Sequence, residues 1–324
     1  MNAWTGSNRE IQIQEVALRD GLQGEVAFMP TDKKIDLIDR LTTTGLKKIE
    51  VTSFVSPRAI PNLADAEAVF AGIVRRSGVV YAALVPNLRG MERAISAAVN
   101  EVNFVLSASE SHNLANLGMT CQKSFSAIRE AAALSDQAGI RTAGSISCSF
   151  GCPIEGDIPA ATIKEWCQRM IEQAGISSIN LCDTTGMAFP AQVFDYVRNF
   201  RDQWPDIPLT LHFHNTRGLG MANVFAAIDG GATNFDAALA GIGGCPYAPG
   251  ASGNLCTEDL VHALEVSGFA CGINLDELIH ASKELTNLLG HETFGQVAKA
   301  GNRLQSHPNP WGFDSKHLSK TSPE

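Results

Sequence analysis

The strongest constraint on the fold is a period. A short apolar, strand-like run followed by an amphipathic helical run recurs eight times along the 324 residues. Strands are predicted at residues 11–18, 48–52, 79–85, 101–106, 141–147, 178–181, 209–213 and 234–239. Helices are predicted at 31–44, 64–76, 90–99, 124–138, 160–174, 190–203, 220–229 and 258–267. The first helix shows the logic: Thr31 can cap it, Ile35, Leu37, Ile38 and Leu41 form one stripe, and Gly45 ends it. Eight alternations within about 260 residues fit a (β/α)8 barrel better than an open doubly wound sheet. No G-x-G-x-x-G follows the first strand, which disfavours dinucleotide binding. One catalytic barrel is therefore expected over residues 1–304, including a further helix at 276–289, with a polar tail at 305–324.

A barrel of this kind carries its chemistry at the C-terminal ends of its strands. The unusual polar residues fall there. The segment LTLHFHNTRG is a buried-looking strand that ends in His212 and His214. Residues two apart on a strand share a face, so both imidazoles project one way. Arg19, Asp20 and Gln23 follow strand one, Glu50 sits in strand two between Ile49 and Val51, and Asp183 ends strand six. Cys245, Asn254 and Glu258 lie in and after the glycine-rich loop leaving strand eight.

Each residue alone has an ordinary reading. Two core histidines can simply be hydrogen-bonded. Arg19 and Asp20 fit a surface turn, Glu50 a buried cap partner, Asp183 an N-cap and Asn254 a turn. Their convergence on one rim favours a site. Asp20, His212, His214 and Asn254 together offer two oxygens and two nitrogens. That mixed set suits Mg2+ or Mn2+, with Co2+ or Zn2+ less favoured; the zinc-protease spacing H-E-x-x-H is absent.

Composition limits the partners. A net charge of −9 with no basic run argues against nucleic acid or an anionic membrane. No apolar run reaches the length of a membrane span, and MNAWTGSNRE has no secretory pattern. The eight cysteines are scattered without a C-x-x-C pair, so neither a zinc ribbon nor a disulfide framework is expected. A cytoplasmic enzyme is the expectation, forming a homo-oligomer (dimer or tetramer).

Longer segments resemble a known family. ALRDGLQGE, IEVTSFVSP, GCPIEGDI, LCDTTGMAFP, HFHNTRGLGMAN and GIGGCPYAPGASGNLCTEDLVHAL together resemble the 3-hydroxy-3-methylglutaryl-CoA lyases, a branch of the metal-dependent TIM-barrel lyases and synthases. The resemblance runs from about residue 11 to 304; the GGCPYAPGASGN loop is its most specific part.

The resemblance implies a divalent cation held by Asp20, His212, His214 and Asn254, and an acyl-CoA substrate cleaved by a retro-Claisen reaction. It implies that Arg19 polarises the thioester carbonyl, that Gln23 and Glu50 hold ligands and substrate, and that Asp183 and Glu258 support proton transfer. Cys245 corresponds to a mobile-loop cysteine that closes over the substrate; His212, Asp183 and Cys245 are the candidate proton donors. This chain also departs from the family pattern. Ala17-Leu18 replaces a Gly-Pro type pair, Val26 and Ala27 stand where a lysine is common, and Asn215 and Arg217 replace an acid and an aromatic. These differences bear on the acyl group more than on the reaction. Arg217 is positioned in sequence to meet an extra carboxylate or a CoA phosphate.

Overall fold

A computed structural model describes residues 8–244 and 253–306. Cys245 and nearly all of the polar tail lie outside the described residues. Eight parallel strands close into a barrel in sequence order: β1 (Gln12–Glu15), β2 (Lys48–Ser53), β3 (Val80–Leu84), β4 (Glu101–Ser107), β5 (Arg141–Ser147), β6 (Ser178–Asp183), β7 (Leu209–Phe213) and β8 (Asn234–Ala237). β1 pairs with both β2 and β8, which completes the circle. Among the described residues, no helix is long and apolar enough to cross a membrane.

The helices are α1 (Thr31–Leu41), α2 (Ala66–Gly72), α3 (Leu88–Ser96), α4 (Glu110–Leu117), α5 (Cys121–Gln137), α6 (Ala160–Gln168), α7 (Pro190–Gln203), α8 (Gly220–Gly230), α9 (Thr257–Val266), α10 (Leu275–Leu289) and α11 (Val297–Ala300). α4 was not anticipated, because ESHNLANL has no continuous apolar stripe. Local chemistry holds it instead. Ser109 Oγ accepts from the His112 N–H at 3.1 Å, Glu155 accepts from the Ser111 N–H, and Gly118 closes the end in the left-handed region.

Strand alternation sorts the side chains into two layers. Ile49, Val51, Phe104, Ile146, Leu181, Leu211 and Phe235 are buried in the apolar shell between sheet and helices. The alternate positions face the barrel interior and are polar: Glu50, Asn103, Ser145, Asn180, His212 and Asp236 are all buried. Hydrogen bonds link them across strands, from Ser145 Oγ to Asn103 Oδ1 and from Asn103 Nδ2 to Glu50 Oε1.

Two strand ends differ from the expectation. Strand one stops at Glu15 rather than Leu18, and Ala17–Gly21 winds into a π-helical turn. Strand eight stops at Ala237, followed by a short 3-10 turn at Leu239–Gly241. Both turns hang on one side chain. Glu15 Oε1 accepts from the N–H groups of Ala17 and Leu239, at 2.8 and 2.9 Å, and its Oε2 accepts from Thr257 Oγ at 2.7 Å. One carboxyl thus joins the exit of β1, the exit of β8 and the start of α9.

Burial pushes the Glu15 carboxyl up to about 7 against those hydrogen bonds. The folded protein therefore holds this proton more tightly than the unfolded chain. Its contribution to stability is full below the unfolded value near 4.5 and is lost as pH rises through about 7. The shift corresponds to roughly 3 kcal/mol. Glu15→Gln keeps an acceptor for both N–H groups but cannot ionise. Its Tm relative to wild type should rise as pH increases from 5 to 8; an offset independent of pH would show that Glu15 does not titrate in this window.

Candidate active site

The π-helical turn places the first site residues. The N–H groups of Arg19, Asp20 and Gly21 all donate to Val16 O, so the chain bends over the mouth of the barrel instead of running on. Arg19 and Asp20 are buried there, at 9% and 8% exposure. Arg19 Nε donates to Glu50 Oε2 and its Nη1 to Asp20 Oδ1, both at 2.6 Å. Burial opposes the guanidinium charge, but Glu50 and Asp20 outweigh it and keep Arg19 cationic. Gln23 Nε2 donates to the same Asp20 Oδ1 at 2.9 Å.

β7 delivers the two histidines. His212 Nε2 and His214 Nε2 approach to 3.1 Å, and lie 3.9 and 4.0 Å from Asp20 Oδ2. The donor atoms of Asp20, His212 and His214 fall within 4.8 Å of one another. The loop returning after strand eight supplies Asn254. Leu255 N–H donates to Phe213 O and Asn215 N–H to Gly253 O, which seats Asn254 beside His214. The outgoing limb passes equally close. Gly243 has φ +102°, and a Cβ there would meet Asn254 Nδ2 at 2.5 Å and Asp20 O at 3.1 Å. Only glycine fits that approach.

The donor set fits a cation. His212 Nδ1 lies 3.1 Å from Asp236 Oδ2, a carboxylate that accepts its proton and leaves the Nε2 lone pair facing His214. Without a cation, His214 must donate from Nε2, and its Nδ1 is then a bare lone pair. That Nδ1 is buried with no partner. A shared cation accepts both Nε2 lone pairs instead. Burial alone would raise Asp20, but Arg19, both imidazoles and Asn254 hold it down at about 2, ready as an anionic ligand. Burial and the neighbouring His212 pull His214 well below the usual histidine value, ready as a neutral one. Asn254 is the exception: its Nδ2 donates to Asp20 Oδ2 at 2.7 Å and to Ile242 O at 3.0 Å. Its amide must turn over to present Oδ1 to a cation.

The remaining anticipated residues divide. Asp183 Oδ1 accepts from the N–H groups of Met187 and Ala188, at 2.7 and 3.0 Å, while Oδ2 is buried with no partner. Burial pushes Asp183 up to about 6, and His212 and Arg217 are close enough to oppose it. Arg217 is exposed on the rim; its Nη1 donates to Thr185 O and Gly186 O, tying the loops after β7 and β6 together. Glu258 does not reach the cluster. Its carboxylate accepts from the Ala240 N–H and from Ser282 Oγ, behind the barrel wall between α9 and α10. Those bonds brace the exit of β8. Cys245 lies outside the described residues.

Asp236 and Asn103 are partners of the site that were not anticipated. The signal was present: in NFDAAL, Asp236 has inward parity on a strand whose other face is apolar. Binding to the folded state alone raises stability. Mn2+ at about 100 times its dissociation constant should add about 2.7 kcal/mol and raise Tm by several degrees. His212→Ala/His214→Ala should keep its circular dichroism spectrum and lose that rise; an equal rise in the double variant would remove both residues from the ligand set.

Comparison with known proteins gives a consistent assignment. The hydroxymethylglutaryl-CoA lyase YngG of Bacillus subtilis is 42% identical over 282 residues, covering 87% of this chain and 94% of that protein. The (R)-citramalyl-CoA lyase of Chloroflexus aurantiacus is 39% identical over 301 residues, covering 90% of this chain and 95% of that protein. An HMG-CoA lyase from Acinetobacter baumannii, solved with coenzyme A and 3-methylmalate, is 51% identical with a TM-score of 0.89, covering 93% of this chain and 98% of that one. The HMGL-like family model matches residues 10–285, and with the barrel and its Asp20–His212–His214 mouth this chain is a member of the HMGL-like family.

Proposed function

We propose that this chain is a carbon–carbon lyase that cleaves 3-hydroxy-3-methylglutaryl-CoA to acetyl-CoA and acetoacetate. The observation that carries the reading is Arg19, a buried cation set directly beside the Asp20–His212–His214 group. Asp20, His212, His214 and, with its amide turned, Asn254 would hold one divalent cation, Mg2+ or Mn2+. When bound, such an ion supplies Lewis acidity for the substrate's hydroxyl and carboxylate oxygens.

The reaction removes the hydroxyl proton, breaks the C2–C3 bond, releases acetoacetate, and leaves the enolate of acetyl-CoA to be protonated at carbon. Arg19 holds its Nε and Nη1 on Glu50 and Asp20, so the guanidinium plane is fixed before substrate arrives. Its Nη2 donates to neither carboxylate and serves the thioester oxygen as negative charge develops there. Asp183 has an unpartnered Oδ2 and a carboxyl that titrates near 6, which suits it to hold a proton close to His212. Cys245, outside the described residues, enters this scheme only as the cysteine that the family resemblance places at the site.

A second reading has specific support. Asn215 and Arg217 depart from the family pattern, and a citramalyl-CoA lyase is among the relatives. A lyase for a related 3-hydroxyacyl-CoA keeps the same cluster and changes only what the rim meets. Incubating the Mg2+- or Mn2+-loaded enzyme with each thioester and identifying the keto acid decides between them. Acetoacetate from hydroxymethylglutaryl-CoA with the higher kcat/KM supports the first reading; pyruvate from citramalyl-CoA with the higher kcat/KM supports the second. No keto acid from either contradicts both.

Arg19→Met should lower kcat by about 10²–10³, the usual cost of one oxyanion donor, with KM changed little. Because Met leaves Glu50 buried and unpaired, Arg19→Met/Glu50→Gln is the companion that protects folding. Near-normal kcat in either variant would remove Arg19 from enolate stabilisation.

A further inference from the structure

We propose that Asp236 is a positioning residue that fixes His212 in its Nδ1–H tautomer and so aims the Nε2 lone pair at the cation site. The proposal rests on the cation reading above and assigns a role to a residue outside the ligand set. Asp236 sits on β8 in register with His212 on β7, so the two side chains leave adjacent strands on the same inward face. His212 Nδ1 and Asp236 Oδ2 are 3.1 Å apart, and the residues are 6% and 5% exposed. Asp236 is not among the grouped donors Asp20, His212 and His214, so it acts through the ring rather than as a ligand. Its other oxygen, Oδ1, is buried and makes no hydrogen bond.

The chemistry requires an acid at this position. A carboxylate only accepts, so it enforces a proton on Nδ1; an amide can also donate, and then permits the tautomer with Nε2 blocked by hydrogen. A hydrogen-bonded carboxylate also makes the ring a better donor to a metal. His214 shows the contrast. Its Nδ1 has no partner, and its Nε2 meets only the Nε2 of His212, at 3.1 Å. The two histidines of the H-x-H strand thus differ in kind: His212 has a carboxylate behind its ring, and His214 has none.

Two measurements without acyl-CoA test this, so the substrate assignment does not enter. Ring ¹⁵N NMR of the metal-free protein should show His212 protonated on Nδ1, with Nε2 bare. Mn2+ titration followed by EPR should show Asp236→Asn binding about 10- to 100-fold more weakly than wild type, with Tm in the absence of Mn2+ little changed. His212→Gln should weaken binding too, and adding Asp236→Asn to it should cost nothing further, because the ring through which Asp236 acts is gone. A His212 ring protonated on Nε2 in the wild type, Asp236→Asn affinity within twofold of wild type, or a second full loss in the double variant would each overturn the proposal. The NMR arm needs no variant and stands if Asp236→Asn does not fold.

Discussion

The central constraint is a charge imbalance buried in the barrel mouth. Asp20, Glu50 and Asp236 bring three carboxylates into a buried layer, and Arg19 brings a guanidinium among them. His214 is held neutral, so the group carries a formal excess of negative charge. Buried charge of this kind costs several kcal/mol per ion unless it is paired. A divalent cation held by Asp20, His212 and His214 would balance it. The surrounding backbone serves that arrangement: the turn at Ala17–Gly21 lays Asp20 over the mouth, β7 presents both imidazoles, and the loop return through Gly253 sets Asn254 against His214.

Much of this was legible in the sequence because it follows from local periodicity. The eight alternations gave the closed sheet, and the H-x-H spacing placed two rings on one face. The turn after β1 was not legible. Val16, Ala17 and Leu18 have strand-like composition, and what ends the strand is a tertiary contact from Glu15 to Leu239 and Thr257, more than 200 residues away. Asp236 was overlooked because a lone acid in a short strand reads as a turn residue until its neighbour on β7 is known. Glu258 was expected near the cluster because it follows the loop leaving strand eight and because of the family resemblance. The chain turns into α9 between Asn254 and Glu258, and the carboxylate ends up behind β8 with Ser282.

The polar interior and the rim are held in different ways. Ser145, Asn103 and Glu50 form a chain of hydrogen bonds inside the barrel that ends on Arg19 Nε. Asn215 and Arg217, two of the departures from the family pattern, lie exposed in the loop after β7 instead. Arg217 ties the loops after β6 and β7 by two backbone carbonyls and stands near Asp183.

Anomalous diffraction from a crystal soaked in Mn2+ tests the arrangement most directly. The predicted result is one strong peak per chain, within coordination distance of a carboxylate oxygen of Asp20 and of Nε2 of both His212 and His214. The Asn254 amide should have turned its oxygen toward the peak. A peak elsewhere in the barrel, or no peak with the His212–His214 contact unchanged, would contradict the cation-centred account of this site.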